Sequence, residues 1–220
     1  LLVILARKSL QPLISRVRTD STATGKFGVM GNKGGVALAF TIDNTTRLAF
    51  VGSHLAARAE RVVERTNDYS KICSDIDVWG LGVDLLHSCD HVVWCGDLNY
   101  RIDVGSAGSP EEFNEVVRRS SGNDPGALAR HDQLRAVLAL GGPAGWQGFR
   151  EAAISFPPTY RMERESQDYS NKRFQNPSYT DRILWRSSSA KCSQIKSLDY
   201  SSLPTLLGSD HRPVSATVEV

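Results

Sequence analysis

Apolar and polar positions fall in blocks along this chain. Short, nearly continuous apolar runs at residues 1–5, 36–42, 47–51, 91–95 and 182–185 predict strands covered on both faces. The far end differs. Val214, Ala216, Val218 and Val220 alternate with Ser215, Thr217 and Glu219, which predicts a strand with one wetter face. Helical spacing lies between these runs. Ser109-Pro110-Glu111-Glu112 reads as a capping box with proline at the first helical position, and Phe113, Val116 and Val117 follow on one face. Leu134, Val137, Leu138 and Leu140 form a second apolar face, stopped by Gly141-Gly142-Pro143. Residues 56–78 are more polar and predict a helix with Val62, Val63, Tyr69, Ile72 and Ile76 turned to the core. Strands and helices mix throughout, so the expected class is α/β or α+β. There is no repeat, heptad run or linker-length polar tract, which predicts a single domain over residues 1–220.

Composition narrows this picture. Of 220 residues, 40% are hydrophobic and 23% charged, as in soluble globular proteins. The net charge is +2, so no global basic field marks a nucleic-acid binder, while a local basic pocket stays open. Cys73, Cys89, Cys95 and Cys192 form no CxxC pair. That spacing argues against zinc and against a disulfide framework, and favours thiols in a reducing, cytoplasmic setting. The run at residues 1–5 is too short to span a membrane and is followed by Arg7 and Lys8. It reads as a buried strand, and a start in mid-strand implies a fragment of something longer.

Candidate chemistry sits just after the apolar runs, where a rigid strand aims the loop that follows. In Trp94-Cys95-Gly96-Asp97-Leu98-Asn99, an acid and an amide stand two apart and would share a face on extended backbone. Asp97 then takes a proton from water while Asn99 holds the same substrate; the alternative is an Asx-turn. Ser209-Asp210-His211 pairs an acid with a histidine that suits a metal and a phosphate, or is merely structural. Asp181 opens a strand and either orients a histidine or forms a surface salt bridge. His54 ends a strand, with Ser53 as a possible helix cap. Gly31-Asn32-Lys33-Gly34-Gly35 offers amides, a lysine and glycines for close ligand approach, without Walker spacing. Phe156-Pro157-Pro158-Thr159-Tyr160-Arg161 is stiff and presents an aromatic and an arginine, with Lys172 and Arg173 following. Each basic segment also reads as a solvated loop.

Together these motifs, with Thr180-Asp181-Arg182-Ile183-Leu184, resemble the inositol polyphosphate 5-phosphatases of the exonuclease–endonuclease–phosphatase superfamily. The resemblance runs from about Gly25 to Val214. It implies a four-layer sandwich of two packed mixed β-sheets flanked by helices, here without its N-terminal strands. It implies Asp97 as the base, Asn99 and His54 at the phosphate, and His211 at the scissile group, oriented by Asp181. Asp210 is expected at or near Mg2+, and Tyr160, Arg161 and Lys172 near a neighbouring ring phosphate. Asn32 and Lys33 are expected on the membrane side. The implied substrate is a phosphoinositide lipid or a soluble inositol polyphosphate, met at a membrane surface by peripheral contact. A further metal-binding glutamate of the family lies before the segment matched by residues 1–5, so this chain is expected to bind magnesium poorly and turn over slowly. Tyr179-Thr180 replaces the family's frequent Trp-Cys, and Arg212 a frequent lysine. A related nuclease or sphingomyelinase, and a non-catalytic phosphoinositide-binding fragment, are the alternatives.

Overall fold

The structure, a computed structural model, describes residues 1–25, 32–105, 108–122, 125–141, 146–188 and 195–220. Gly31, Gly142, Pro143 and Cys192 lie outside the described residues. The strands are β1 (Ile14–Ala23), β2 (Gly34–Ile42), β3 (Thr46–His54), β4 (His91–Asp97), β5 (Asp181–Ser187), β6 (Lys196–Ser202) and β7 (Val214–Glu219). The first five form one sheet in the order β1-β2-β3-β4-β5, and β6 and β7 form a two-stranded second sheet. Only β3 and β4 run parallel; the other neighbours are antiparallel. Mixed α/β class and two sheets are as expected.

The helices are α1 (Val62–Asp75), α2 (Leu85–Ser88), α3 (Pro110–Ser120) and α4 (Gln133–Leu140). In α3 the Ser109 hydroxyl accepts from the Glu112 N–H, which is the cap the sequence predicts. α1 starts later than residue 56. The reason is Arg65, whose guanidinium donates to the carbonyls of Ala56, Arg58 and Ala59 and so holds that stretch as a loop. Val63 is exposed rather than core, whereas Tyr69, Ile72 and Ile76 are buried.

One face of the large sheet carries the main core. Ala37, Ala39, Ala49, Val51, Val92, Trp94 and Leu184 meet Tyr69, Ile72 and Ile76 there. Gly35 is what lets α1 approach: a side chain at that position would run into Ile72. Gly34 likewise abuts the Thr22 carbonyl, and both glycines also line the cleft beside His54. Tyr69 stacks on Trp146 at 4.4 Å, and Trp146 meets Trp94 edge-on at 5.0 Å. A second cluster, with Ile102, Val116, Leu128, Phe156, Tyr179 and Tyr200, has Ile183, Val214 and Ala216 packed against it.

Residues 1–5 are not a buried strand. Leu1, Val3 and Leu5 are exposed, and Leu2 lies against Gly52 and beside Val36. Gly52 belongs to β3, an interior strand, so the run rests on the sheet and does not extend an edge.

Candidate active site

Strand register gathers the polar strand ends. His54 of β3 is the cross-strand partner of Asp97 in β4, and Asp97 is the partner of Asp181 in β5. Adjacent strands lie about 4.8 Å apart, so the three side chains start from one end of the sheet. Gly96 makes the approach possible. It sits at φ 132, and a Cβ there would strike the Ser53 carbonyl oxygen. Ser53 itself is a strand residue, not a helix cap, and its hydroxyl accepts from the Trp94 indole at 2.8 Å.

Asp97 divides its two oxygens. Oδ1 accepts from the Asn99 N–H at 3.0 Å, which is the Asx-turn alternative. Oδ2 faces His54 Nε2 at 3.1 Å. Lys33 Nζ also reaches that nitrogen, at 2.9 Å. A neutral imidazole satisfies one contact through Nε2, either accepting from the Lys33 ammonium or donating to Asp97. Burial lowers the Lys33 pKa, against the pull of Asp97 and Asp68.

Asn99 departs from expectation. Its φ is 58, so the backbone is not extended and the residue does not share a face with Asp97. It is buried, its amide donates to the Leu55 carbonyl at 3.1 Å, and its Oδ1 accepts from Arg101 at 2.8 Å. The side chain is turned inward and bonded within the protein.

Opposite Asp97 stands His211. Its Nδ1 lies 2.8 Å from Asp181 Oδ2, which also accepts from the hydroxyls of Thr180 at 2.9 Å and Thr159 at 3.2 Å. Thr180 thus serves Asp181 directly, and Tyr179 packs edge-on against Phe156. Burial works against charge on His211. The Asp181 hydrogen bond and the charges of Asp181, Asp97 and Asp210 outweigh it, and the pKa is raised. The Tyr160 ring lies 4.4 Å from the imidazole. Asp210 is paired with Arg161 at 3.3 Å.

Asn32 and Lys33 line a cleft of about 490 Å³ with Leu1, Leu2, His54, Cys95 and Gly96. A second cleft of about 280 Å³ takes in Arg58, Arg101, Arg173 and Ser178, the strand-like partner of Tyr160. Lys172 does not line it and is exposed on a 3-10 turn over Lys172–Phe174, next to Arg173, which does. Sequence reasoning missed Arg101, Thr159 and Thr180. Hydroxyls flanking an acid were the available signal for the threonines. Burial raises the Cys95 thiol pKa, which disfavours a thiolate nucleophile at the first cleft.

Comparison with known proteins places the chain among relatives. The chain is 34% identical over 225 residues to the Type II inositol 1,4,5-trisphosphate 5-phosphatase of Mus musculus, spanning 100% of this chain and 21% of that protein. It is 37% identical over 186 residues to synaptojanin-1 of Rattus norvegicus, covering 84% of this chain and 11% of the relative. The chain therefore spans about a fifth or less of these relatives. In the solved inositol polyphosphate 5-phosphatase domain of SPsynaptojanin, in complex with inositol (1,4)-bisphosphate and calcium, the TM-score is 0.81 at 34% identity. That likeness covers 97% of this chain and 57% of the other. A Cimex nitrophorin, as a ferrous NO complex, shares the fold at TM-score 0.67 and 25% identity, over 96% of this chain and 67% of the other. With residues 1–217 matching the family pattern, the chain belongs to the endonuclease/exonuclease/phosphatase family 2.

Proposed function

We propose that the protein is a phosphomonoesterase that removes the 5-phosphate of phosphoinositides or soluble inositol polyphosphates by in-line attack of water. The observation that carries this reading is the Asp181–His211 pair set opposite Asp97 at one end of the sheet.

Asp97 accepts a proton from water as the water oxygen attacks phosphorus. The bond between phosphorus and the inositol oxygen breaks, that oxygen takes up a proton, and orthophosphate leaves. His211 gives Nδ1 to Asp181, which leaves Nε2 for a phosphate oxygen. Its raised pKa favours the imidazolium, a charge-assisted donor where negative charge gathers. Lys33, Arg161 and Arg173 supply cations for further phosphates on the ring.

A divalent ion is the remaining question. The synaptojanin complex includes calcium, and the family resemblance implies Mg2+ at Asp210. Here Asp210 is paired with Arg161. Among the described residues, no group of three or more His, Cys, Asp and Glu side chains could hold a metal ion. Magnesium binds through one or two carboxylates and keeps several waters, so Asp210 would hold such an ion once its pairing with Arg161 is released.

Membrane contact on this reading is peripheral and cytoplasmic, through the rim formed by Asn32, Lys33 and Leu2. Among the described residues no helix is long and apolar enough to cross a membrane.

The test is phosphate release from inositol 1,4,5-trisphosphate, and from vesicles carrying phosphatidylinositol 4,5-bisphosphate, with and without magnesium. Asp97→Ala should lower the rate by about 10²- to 10⁴-fold with the fold retained. Equal rates would remove Asp97 as the base. Cleavage of phosphodiesters in place of monoesters would overturn the substrate class.

A further inference from the structure

Arg101 touches both walls of the site. On one side its Nε donates to the Asn99 carbonyl at 3.1 Å and its Nη2 to Asn99 Oδ1 at 2.8 Å. Those two bonds hold Asn99 in the left-handed conformation from which its N–H reaches Asp97. On the other side the guanidinium lies 4.8 Å from the centroid of the Tyr160 ring, and that ring is the one packed on His211. The main chain of Arg101 is clamped as well. Its N–H donates to Gln133 Oε1, and its carbonyl accepts from the Gln133 N–H, each at 3.0 Å.

The charge is an expensive one to keep there. Arg101 is 6% exposed, and among the described residues no carboxylate forms an ion pair with it. A second cation, Arg65, is close enough to be disfavoured by it. Buried charges usually come with a counter-charge. An arginine held by amide oxygens and a ring face instead suggests a use for its planar fork, which bonds in its plane and stacks across it.

We infer that Arg101 is a positioning residue that fixes the Asp97–Asn99 turn relative to the Tyr160–His211 stack, so that base and histidine address the same phosphorus atom. This rests on the hydrolase reading above.

The experiment compares wild type with Arg101→Lys and Arg101→Met in the 220-residue chain. It uses steady-state kinetics on inositol 1,4,5-trisphosphate and the NMR resonance of the His211 imidazole, which the Tyr160 ring current shifts. Arg101→Met should lower kcat by about 10²-fold, as a misplacement near 1 Å does. KM should stay within about threefold. The His211 resonance should move. Arg101→Lys, keeping a cation without the fork, should recover only part of kcat; if the methionine variant does not fold, the lysine variant alone decides. A raised KM with kcat kept would make Arg101 a direct substrate ligand and overturn the inference. So would an unchanged kcat with an unmoved resonance. If wild type releases no phosphate, the hydrolase reading fails, while the resonance still reports whether Arg101 sets the Tyr160–His211 stack.

Discussion

At the scale of single residues, carboxylates set the charge of His211, Asp181 foremost among Asp181, Asp97 and Asp210. Burial alone would strip the proton from a histidine, yet the pKa is raised because Asp181 sits 2.8 Å from Nδ1. A raised folded pKa means that the imidazolium adds stability at pH below the unfolded value of 6.5, and that this is lost as pH rises through the folded value. An NMR titration should therefore place the His211 midpoint above that of free histidine. Asp181→Asn should lower it, and the alkaline limb of activity should move to lower pH with it. An unmoved midpoint would exclude Asp181 as the source. His211 and Asp181 were legible in the sequence because each stands beside an apolar strand. The inward turn of Asn99 was not, because a left-handed φ and an arginine two residues on leave no mark in a hydropathy pattern.

Among elements, legibility followed hydropathy. β2, β3, β4 and β5 are apolar and were found, whereas β1 and β6 are polar and were missed. β1 carries Arg16, Arg18 and Asp20 on an edge strand, the composition that discourages pairing with other chains. What anchors β5 was equally hidden. Arg182 is fully buried, with Nη1 2.8 Å from Asp132 and Nε and Nη2 at 2.6 and 2.5 Å from Glu151. Tyr200 of β6 donates to the same Glu151 at 2.9 Å. Burial opposes the charge on Arg182, but Asp132 and Glu151 outweigh it, and the guanidinium stays ionised. The network ties β5, the N-cap of α4 and β6 directly behind Asp181. Glu151→Ala leaves a buried cation half paired, and should cost about 3–5 kcal/mol in urea unfolding. A loss under about 1 kcal/mol would mean that Asp132 alone suffices.

For the whole molecule, the class was legible from alternating strand and helix patterns, and the fold alone does not settle the use. The nitrophorin likeness makes that plain, so function has to be argued from Asp97, Asp181 and His211. The part of the whole that hydropathy misread is the start. An apolar run was expected inside a sheet, but burial depends on a partner edge, which composition does not encode. In the structure Leu2 and Ile4 are half-buried, while Leu1, Val3 and Leu5 face out. The two pictures differ in magnitude. Five buried apolar side chains would contribute roughly 7–15 kcal/mol, whereas two half-buried ones contribute about 1–3 kcal/mol. Deleting residues 1–5 should therefore lower the unfolding free energy by the smaller amount, read by urea titration at constant m-value. It should also widen the cleft beside His54, because Leu1 and Leu2 form part of its wall. Loss of cooperative unfolding on deletion would restore the buried strand and overturn the placement.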